Sequence, residues 1–362
     1  MLSPMPRRAL LTIATLVALI APALAVASPA QALVVGIADQ KAASFDDKLL
    51  TDLPVRHARL SVPWDAMDYR WQRREIDVWI RKANAADMTV VVTFGRSRTR
   101  VFRLPSVQEY RARVGTFMRR YRSVREYSPW NEPNLARLPA NSDPHRIAAY
   151  YRTLRSLCGA CRIMGADLVD SSNLARWMTA YLRVFRPGRA PRLWGLHNYV
   201  DVNSTSRWGT KTMLRLAAGQ IWLTEPGPII SRAKPSKTAR SDRRLLMRQG
   251  RRRSAAATER VFTLAAMSPR ISRVYIYHWR AGARSSWDSG LLSSNGTPRP
   301  SFDVFAHEAR AAAGIPDPDD VAPPAAPPPA PPPASPPSGL ECLVSPSCAS
   351  GACTMLARVW LL

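Results

Sequence analysis

The chain has 362 residues, 46% of them apolar and 22% charged, and carries 52 Lys and Arg against 26 Asp and Glu, a formal charge of +26. That length allows one large domain or two ordinary ones, since single α/β barrels routinely reach about 250 residues. The cationic excess favours anionic partners, but no nucleic-acid module pattern and no basic stripe interleaved with aromatics is present, which argues against nucleic acid.

At the start of the chain, Arg7-Arg8 precede an apolar stretch from Ala9 to Ala27, followed by Ser28-Pro29-Ala30-Gln31-Ala32. A basic n-region, an apolar core and an A-x-A site in that order read as a signal peptide covering residues 1–32. Pro22 interrupts the apolar run, leaving it shorter than the roughly 20 residues that a membrane span requires. The mature protein is therefore expected to be secreted, cell-surface or periplasmic, with no stable membrane span.

Eight short apolar runs then read as strands: Leu33–Ile37, Val55–Val62, Thr89–Phe94, Val124–Tyr127, Arg162–Ala166, Leu193–His197, Gln220–Thr224 and Arg273–Tyr277. Helix candidates alternate with them: Asp46–Asp52, Arg73–Asp87, Ser106–Tyr121, Asp143–Leu157, Ser172–Phe185, Trp208–Ala218, Asp242–Met267 and Pro300–Ala313. Alternating units of this kind imply parallel strands with helical crossovers. A G-x-G-x-x-G fingerprint is missing after the first strand, and the count of eight units with scattered polar strand ends favours closure, so the expected fold is a single (β/α)8 TIM barrel over residues 33–314. Cys158-Gly159-Ala160-Cys161 has the spacing of a local disulfide in an exported protein, and no second Cys or His pair completes a metal site. Residues 315–338 are dominated by Pro and Ala and read as an extended, disordered linker. Residues 339–362 form a short tail with Cys342, Cys348 and Cys353.

Two carboxylates stand out. Glu132 lies in Tyr127-Ser128-Pro129-Trp130-Asn131-Glu132-Pro133-Asn134 and Glu225 in Ile221-Trp222-Leu223-Thr224-Glu225-Pro226-Gly227. Each follows an apolar run and precedes Pro, where a strand gives way to a loop and a barrel keeps its catalytic groups. Retaining glycoside hydrolysis needs two carboxyl groups about 5 Å apart, one to protonate the leaving oxygen and one to attack the sugar. Pro226 holds Glu225 to extended backbone, which a strand-end residue tolerates.

These motifs resemble the clan A glycoside hydrolases, retaining enzymes on a (β/α)8 barrel whose acid/base and nucleophile glutamates follow the fourth and seventh strands. Counting the runs above, Glu132 and Glu225 occupy those places. The resemblance covers residues 33 to about 313 and implies further roles. Asn131, just before the acid/base, would hold the sugar 2-hydroxyl. Arg59, in Arg59-Leu60-Ser61-Val62-Pro63-Trp64, would lie near the nucleophile. His197 and Tyr199, in Leu196-His197-Asn198-Tyr199, match a sixth-strand pair whose Tyr contacts the nucleophile, and Trp279 matches an eighth-strand Trp that floors the sugar site. Trp64 and Trp130 are further strand-end tryptophans suited to a carbohydrate cleft. No cofactor is implied.

On this reading Glu132 needs a pKa raised by the charge of Glu225, while Arg59 and Tyr199 favour the ionised form of Glu225. The partner is an oligo- or polysaccharide, with anionic cell-wall or surface glycans in view because of the positive charge. Two other readings compete: a carbohydrate-binding protein on a degenerate barrel, and a cell-surface interaction protein working through its tail.

Overall fold

The computed structural model describes residues 32–232, 240–282 and 285–316, with side chains of the helix at 240–247 left aside. The expected leader, the linker beyond residue 316 and the tail with its three cysteines lie outside the described residues.

Nine parallel strands form one sheet: β1 Val34–Ala38, β2 His57–Pro63, β3 Thr89–Gly95, β4 Glu126–Ser128, β5 Arg162–Ile163, β6 Asp167–Val169, β7 Leu193–His197, β8 Gln220–Leu223 and β9 Ile271–Tyr277. Their order is β5-β4-β3-β2-β1-β9-β8-β7-β6. The two ends of that series, β5 and β6, are consecutive pieces of one stretch of chain. Between them Met164 N–H donates to Tyr127 at 2.8 Å and Gly165 N–H to Leu193 at 2.8 Å, and Gly195 N–H donates to Ala166 at 2.9 Å. The sheet is thereby stitched into the eight-staved barrel, the fifth expected strand being the one that breaks in two. A strand can change partners here because its first half bonds back to β4 and its second half forward to β7.

The strand periodicity builds two cores. On β2 and β3, Ala58, Leu60, Val62, Val90, Val92 and Phe94 face the helices and join the large outer core, while the alternate residues face the lumen. Ala38, Val91, Met164, Trp222 and Tyr275 form the small inner core. Below it, Arg273 forks onto Glu126 at 2.7 and 3.0 Å and lies 4.0 Å from the Trp222 ring.

The helices follow from local chemistry. Val107–Arg120 starts at a capping box in which Ser106 and Glu109 exchange bonds at 3.1 and 2.9 Å. Pro144–Leu157 starts on Asp143, which accepts from Arg146 N–H at 2.8 Å, with Pro144 at the position where a missing N–H costs nothing. Arg70–Ala85 buries Ile76, Trp79, Ile80 and Ala83 on one face. Pro300–Ala312 closes the last unit, and Gly314 at φ +69° lets its N–H reach Ala311 at 3.0 Å and that of Ile315 reach Arg310 at 2.9 Å. That pair of bonds is a Schellman stop, which needs a left-handed residue. Cys158 and Cys161 are bridged, with 5.4 Å between their Cα atoms. No described helix is long and apolar enough to cross a membrane.

Candidate functional site

The C-terminal ends of β2, β3, β4, β8 and β9 or the loops that follow them, with Gln40 from the loop after β1, enclose a cleft of about 490 Å³. Gln40, Ser61, Trp130, Asn131, Glu132, Glu225 and Tyr277 are among its lining residues. Both expected carboxylates therefore open onto one space, their side chains 21% and 15% exposed.

Arg59 stands at the centre, buried on the lumen face of β2. Its guanidinium donates to Glu225 Oε2 at 2.7 Å, to Asn131 Oδ1 at 2.6 Å and to Asp167 Oδ2 at 2.7 Å. His197, at the end of β7, is equally buried and presents one ring nitrogen to each side. Nδ1 lies 2.9 Å from Glu132 Oε1 and 3.7 Å from Glu225 Oε2, and Nε2 lies 3.1 Å from Asp167 Oδ1. The sum of the two Nδ1 contacts caps the separation of those Glu132 and Glu225 oxygens at about 6.6 Å.

Asp167 is the residue that the sequence reading missed. It is completely buried in β6 and also accepts from Thr93 at 2.8 Å and from Thr224. Its backbone carbonyl accepts from Glu132 N–H at 2.8 Å, so one residue anchors both the charges beneath the cleft and the loop that carries Glu132. The space for its carboxylate comes from β7, because a Cβ on the facing Gly195 would stand 2.1 Å from Asp167 Oδ1. A lone Asp after Gly165-Ala166 and a Gly inside Leu193–His197 were the available signals.

Glu132 itself sits at φ +49°, a left-handed conformation rare for this residue type and costing about 1–3 kcal/mol. The turn is held from several sides. Asn131 N–H donates to Phe94 at 2.7 Å, Tyr110 OH donates to Pro129 at 2.8 Å, and Asn134 brackets Val169 with bonds of 2.7 and 2.9 Å. Opposite, Tyr277 N–H donates to the Pro226 carbonyl at 2.8 Å, fixing the exit of β8 beside Glu225.

Charge sets the protonation states. Burial alone would lower the His197 pKa, but Asp167 and Glu225 outweigh it and push it up to about 10. Burial would likewise penalise ionised Asp167, and Arg59 with His197 holds its carboxyl well below the ordinary range. The Arg59 guanidinium is held charged by Asp167 and Glu225 against the penalty of burial. For Glu132, burial raises the carboxyl, yet the His197 bond and the charges of His197 and Arg59 bring it below its usual value. This differs from the expected upward shift, since the nearest charge to Glu132 is the His197 cation rather than Glu225.

Two expected placements also differ. Tyr199 is not on an extended strand, because β7 ends at His197 and Tyr199 opens the short helix Tyr199–Val202. Its hydroxyl still lies 3.4 Å from Glu225 Oε1. Trp279 is outside the cleft. Its N–H groups bond Asp39 Oδ2 and Asp47 Oδ2, both at 2.9 Å, and its ring packs between Phe302 and Phe305. Tyr277 lines the cleft from β9 instead. Trp130 lines it too, 5.6 Å from the Tyr150 ring, whereas Trp64 is buried under the guanidinium groups of Arg100 and Arg103.

No protein-family model matches the sequence, and no curated protein matches it significantly. Solved structures do match in three dimensions. Xylanase 10B from Thermotoga petrophila, in complex with xylobiose, superposes with a TM-score of 0.56 at 12% identity, over 78% of this chain and 95% of that one. A xylanase, Xyn10A, from Cellvibrio japonicus gives 0.57 at 12% identity, over 77% and 98%. A family 39 glycoside hydrolase from Bacteroides cellulosilyticus gives 0.52 at 15% identity, over 77% of this chain but only 64% of that protein. The chain shares the fold of these barrels. At such identities the likeness carries the architecture, and the chemistry rests on the residues in the cleft.

Proposed function

We propose that the chain is an exported retaining glycoside hydrolase that cleaves a β-linked extracellular glycan by double displacement. The observation that carries this is the convergence of Glu132 and Glu225 on one His197 nitrogen at 2.9 and 3.7 Å, at the mouth of one cleft. Retaining pairs stand about 5–5.5 Å apart and inverting pairs roughly 6.5–9.5 Å, so the short cap on this separation favours retention. That the solved structures with this fold include two xylanases and a glycoside hydrolase agrees with a carbohydrate substrate.

In the first step the Glu225 carboxylate, oriented by Arg59 and Tyr199, attacks the anomeric carbon while the Glu132 proton passes to the departing glycosidic oxygen. An ester to Glu225 results, and its charge is gone. In the second step Glu132, now ionised, takes a proton from water as the water oxygen attacks the same carbon and releases Glu225. Asn131, which accepts from Arg59 at 2.6 Å, would bond the sugar 2-hydroxyl.

The second reading, a carbohydrate-binding protein on the same barrel, draws on the ion pair that holds Glu132 ionised, since binding does not require a proton there. Aryl β-glycosides and polysaccharides, screened with analysis of the first-formed anomer, separate the two. Turnover with a retained anomer supports the hydrolase. Saturable binding without turnover on any of them replaces it with the binding protein, and an inverted anomer removes the double displacement.

A further inference from the structure

The opposite side of the barrel carries a second concavity, about 820 Å³, between the helix Pro144–Leu157 and the segment that leads from Leu174–Leu182 into β7. Arg152, Arg155, Arg186, Arg189 and Arg192 line it, and no acidic residue does. All five are exposed, and none joins a salt bridge among the described residues. Other surface arginines are mixed in this respect, for Arg98, Arg103, Arg113 and Arg120 each lie against a carboxylate and exposed Arg122 and Arg251 join no salt bridge among the described residues. The groove differs in gathering five such arginines around one concavity. The five arginines thus add their fields without local compensation.

Their backbone is set in advance. Arg189 N–H donates to Arg186 at 3.0 Å across Pro187-Gly188, and Gly188 has φ +73°, the geometry of a type II turn. Proline fixes the first corner and glycine the second, so Arg186 and Arg189 stand at the two ends of a rigid turn. The opposite wall ends at the Cys158–Cys161 bridge.

We infer that this groove is an anchoring site for an acidic polysaccharide, whose repeated carboxylate or sulfate groups the arginines bind. Guanidinium forks match such groups in two-point hydrogen bonds. Single-stranded nucleic acid fits less well, because it needs free aromatic platforms. The Phe185 ring at the floor is covered by the Arg152 guanidinium at 4.9 Å, and Tyr151 is buried. The groove would bring the protein to an anionic matrix while leaving the cleft at the barrel's other end open. It does not depend on the hydrolase reading.

The test uses the full chain with Glu225→Gln, so that cleavage does not consume the probe, and polygalacturonate titrated in dilute salt. Joint Arg186→Ser, Arg189→Ser and Arg192→Ser should weaken binding at least tenfold. The charge-matched control, Arg248→Ser with Arg251→Ser and Arg252→Ser, should change it less than threefold. Arg189→Glu alone should give a loss of the same sign, with the melting temperature confirming that each variant is folded. An equal loss in the control assigns the binding to net charge and overturns the site. So does an unchanged affinity in the groove variant, or no binding of polygalacturonate at all. Oligothymidylate bound as tightly, with the same sensitivity, replaces the polysaccharide with nucleic acid. Loss of hydrolysis in an active-site variant, or its absence altogether, leaves this result intact.

Discussion

Asp167→Asn is the sharpest perturbation of the cleft, because it removes one charge and almost no volume. In the native protein Asp167 faces Arg59 at 2.7 Å and His197 at 3.1 Å with no exposure of any of the three. Breaking a buried pair from one side costs about 3–5 kcal/mol, because the other charge stays behind unpaired. For a domain of this size that is a fall in Tm on the order of 10 °C. The same change acts on protonation. His197 owes its raised pKa, about 10, to Asp167 first and Glu225 second, working against burial. Without Asp167 the ring should lose its proton near or below neutrality. NMR of 15N-labelled imidazole reads this directly: the native ring stays charged from pH 5 to 8 and the variant ring titrates within or below that window.

Stability follows with a definite sign. A folded pKa above the unfolded 6.5 stabilises fully below about pH 6.5 and fades as pH rises through 10, so the native protein loses that contribution on the alkaline side and the variant does not. A variant whose His197 remained charged to pH 9, with an unchanged Tm, would refute the charge network as drawn.

Four further outcomes follow from the site. Glu225→Ala should cut turnover of an aryl β-glycoside by at least ~10³-fold, and added azide should yield the inverted α-glycosyl azide, identified by NMR of the product. Glu132→Gln should slow glycosylation by about 10²–10⁴-fold for poor leaving groups and far less for activated ones, measured before steady state across a leaving-group series. Trp279→Ala should cost about 3–5 kcal/mol in denaturant unfolding while KM of the folded fraction stays unchanged. Tyr277→Ala should do the reverse, raising KM with a smaller change in stability.

The barrel was legible because its signals are local. Strand runs such as Leu193–His197 and Thr89–Phe94 sit within a residue of the observed bounds, and the capping box at Ser106 announces its helix. Arg59, Asn131, His197 and Tyr199 all converge on the two glutamates, and the order of short motifs along the chain was enough to find them. The misses arise where a neighbour distant in sequence decides. The resemblance to an eighth-strand Trp puts Trp279 on the floor of the sugar site. The strand stops at Tyr277, however, and Asp39 and Asp47, from the other end of the chain, turn the indole outward. Asp167 was passed over because a lone acid between apolar residues gives no hint of Arg59, Thr93, His197 and Thr224 closing around it. The same is true of the Glu132 pKa, whose direction depends on which charge is nearest across the barrel.

That direction bears on the proposed mechanism. A general acid must carry a proton when the substrate is bound, yet the free cleft holds Glu132 ionised against the His197 cation at 2.9 Å. The two statements agree if the sugar itself changes the balance. A glycosidic oxygen accepts a hydrogen bond only from the neutral carboxyl, and a bound sugar expels the water that the ionised form prefers, so both effects raise the pKa in the complex. The alkaline limb of kcat/KM reports the free enzyme and that of kcat reports the complex. On this account the alkaline limb of kcat/KM falls at an acidic pH, below the usual Glu range, and that of kcat stands clearly higher. Asp167→Asn, by discharging His197, should move the kcat/KM limb upward toward the kcat limb. Coincident limbs in the native protein, unmoved by the substitution, would mean that His197 does not govern Glu132 and that the proton reaches the leaving group from elsewhere.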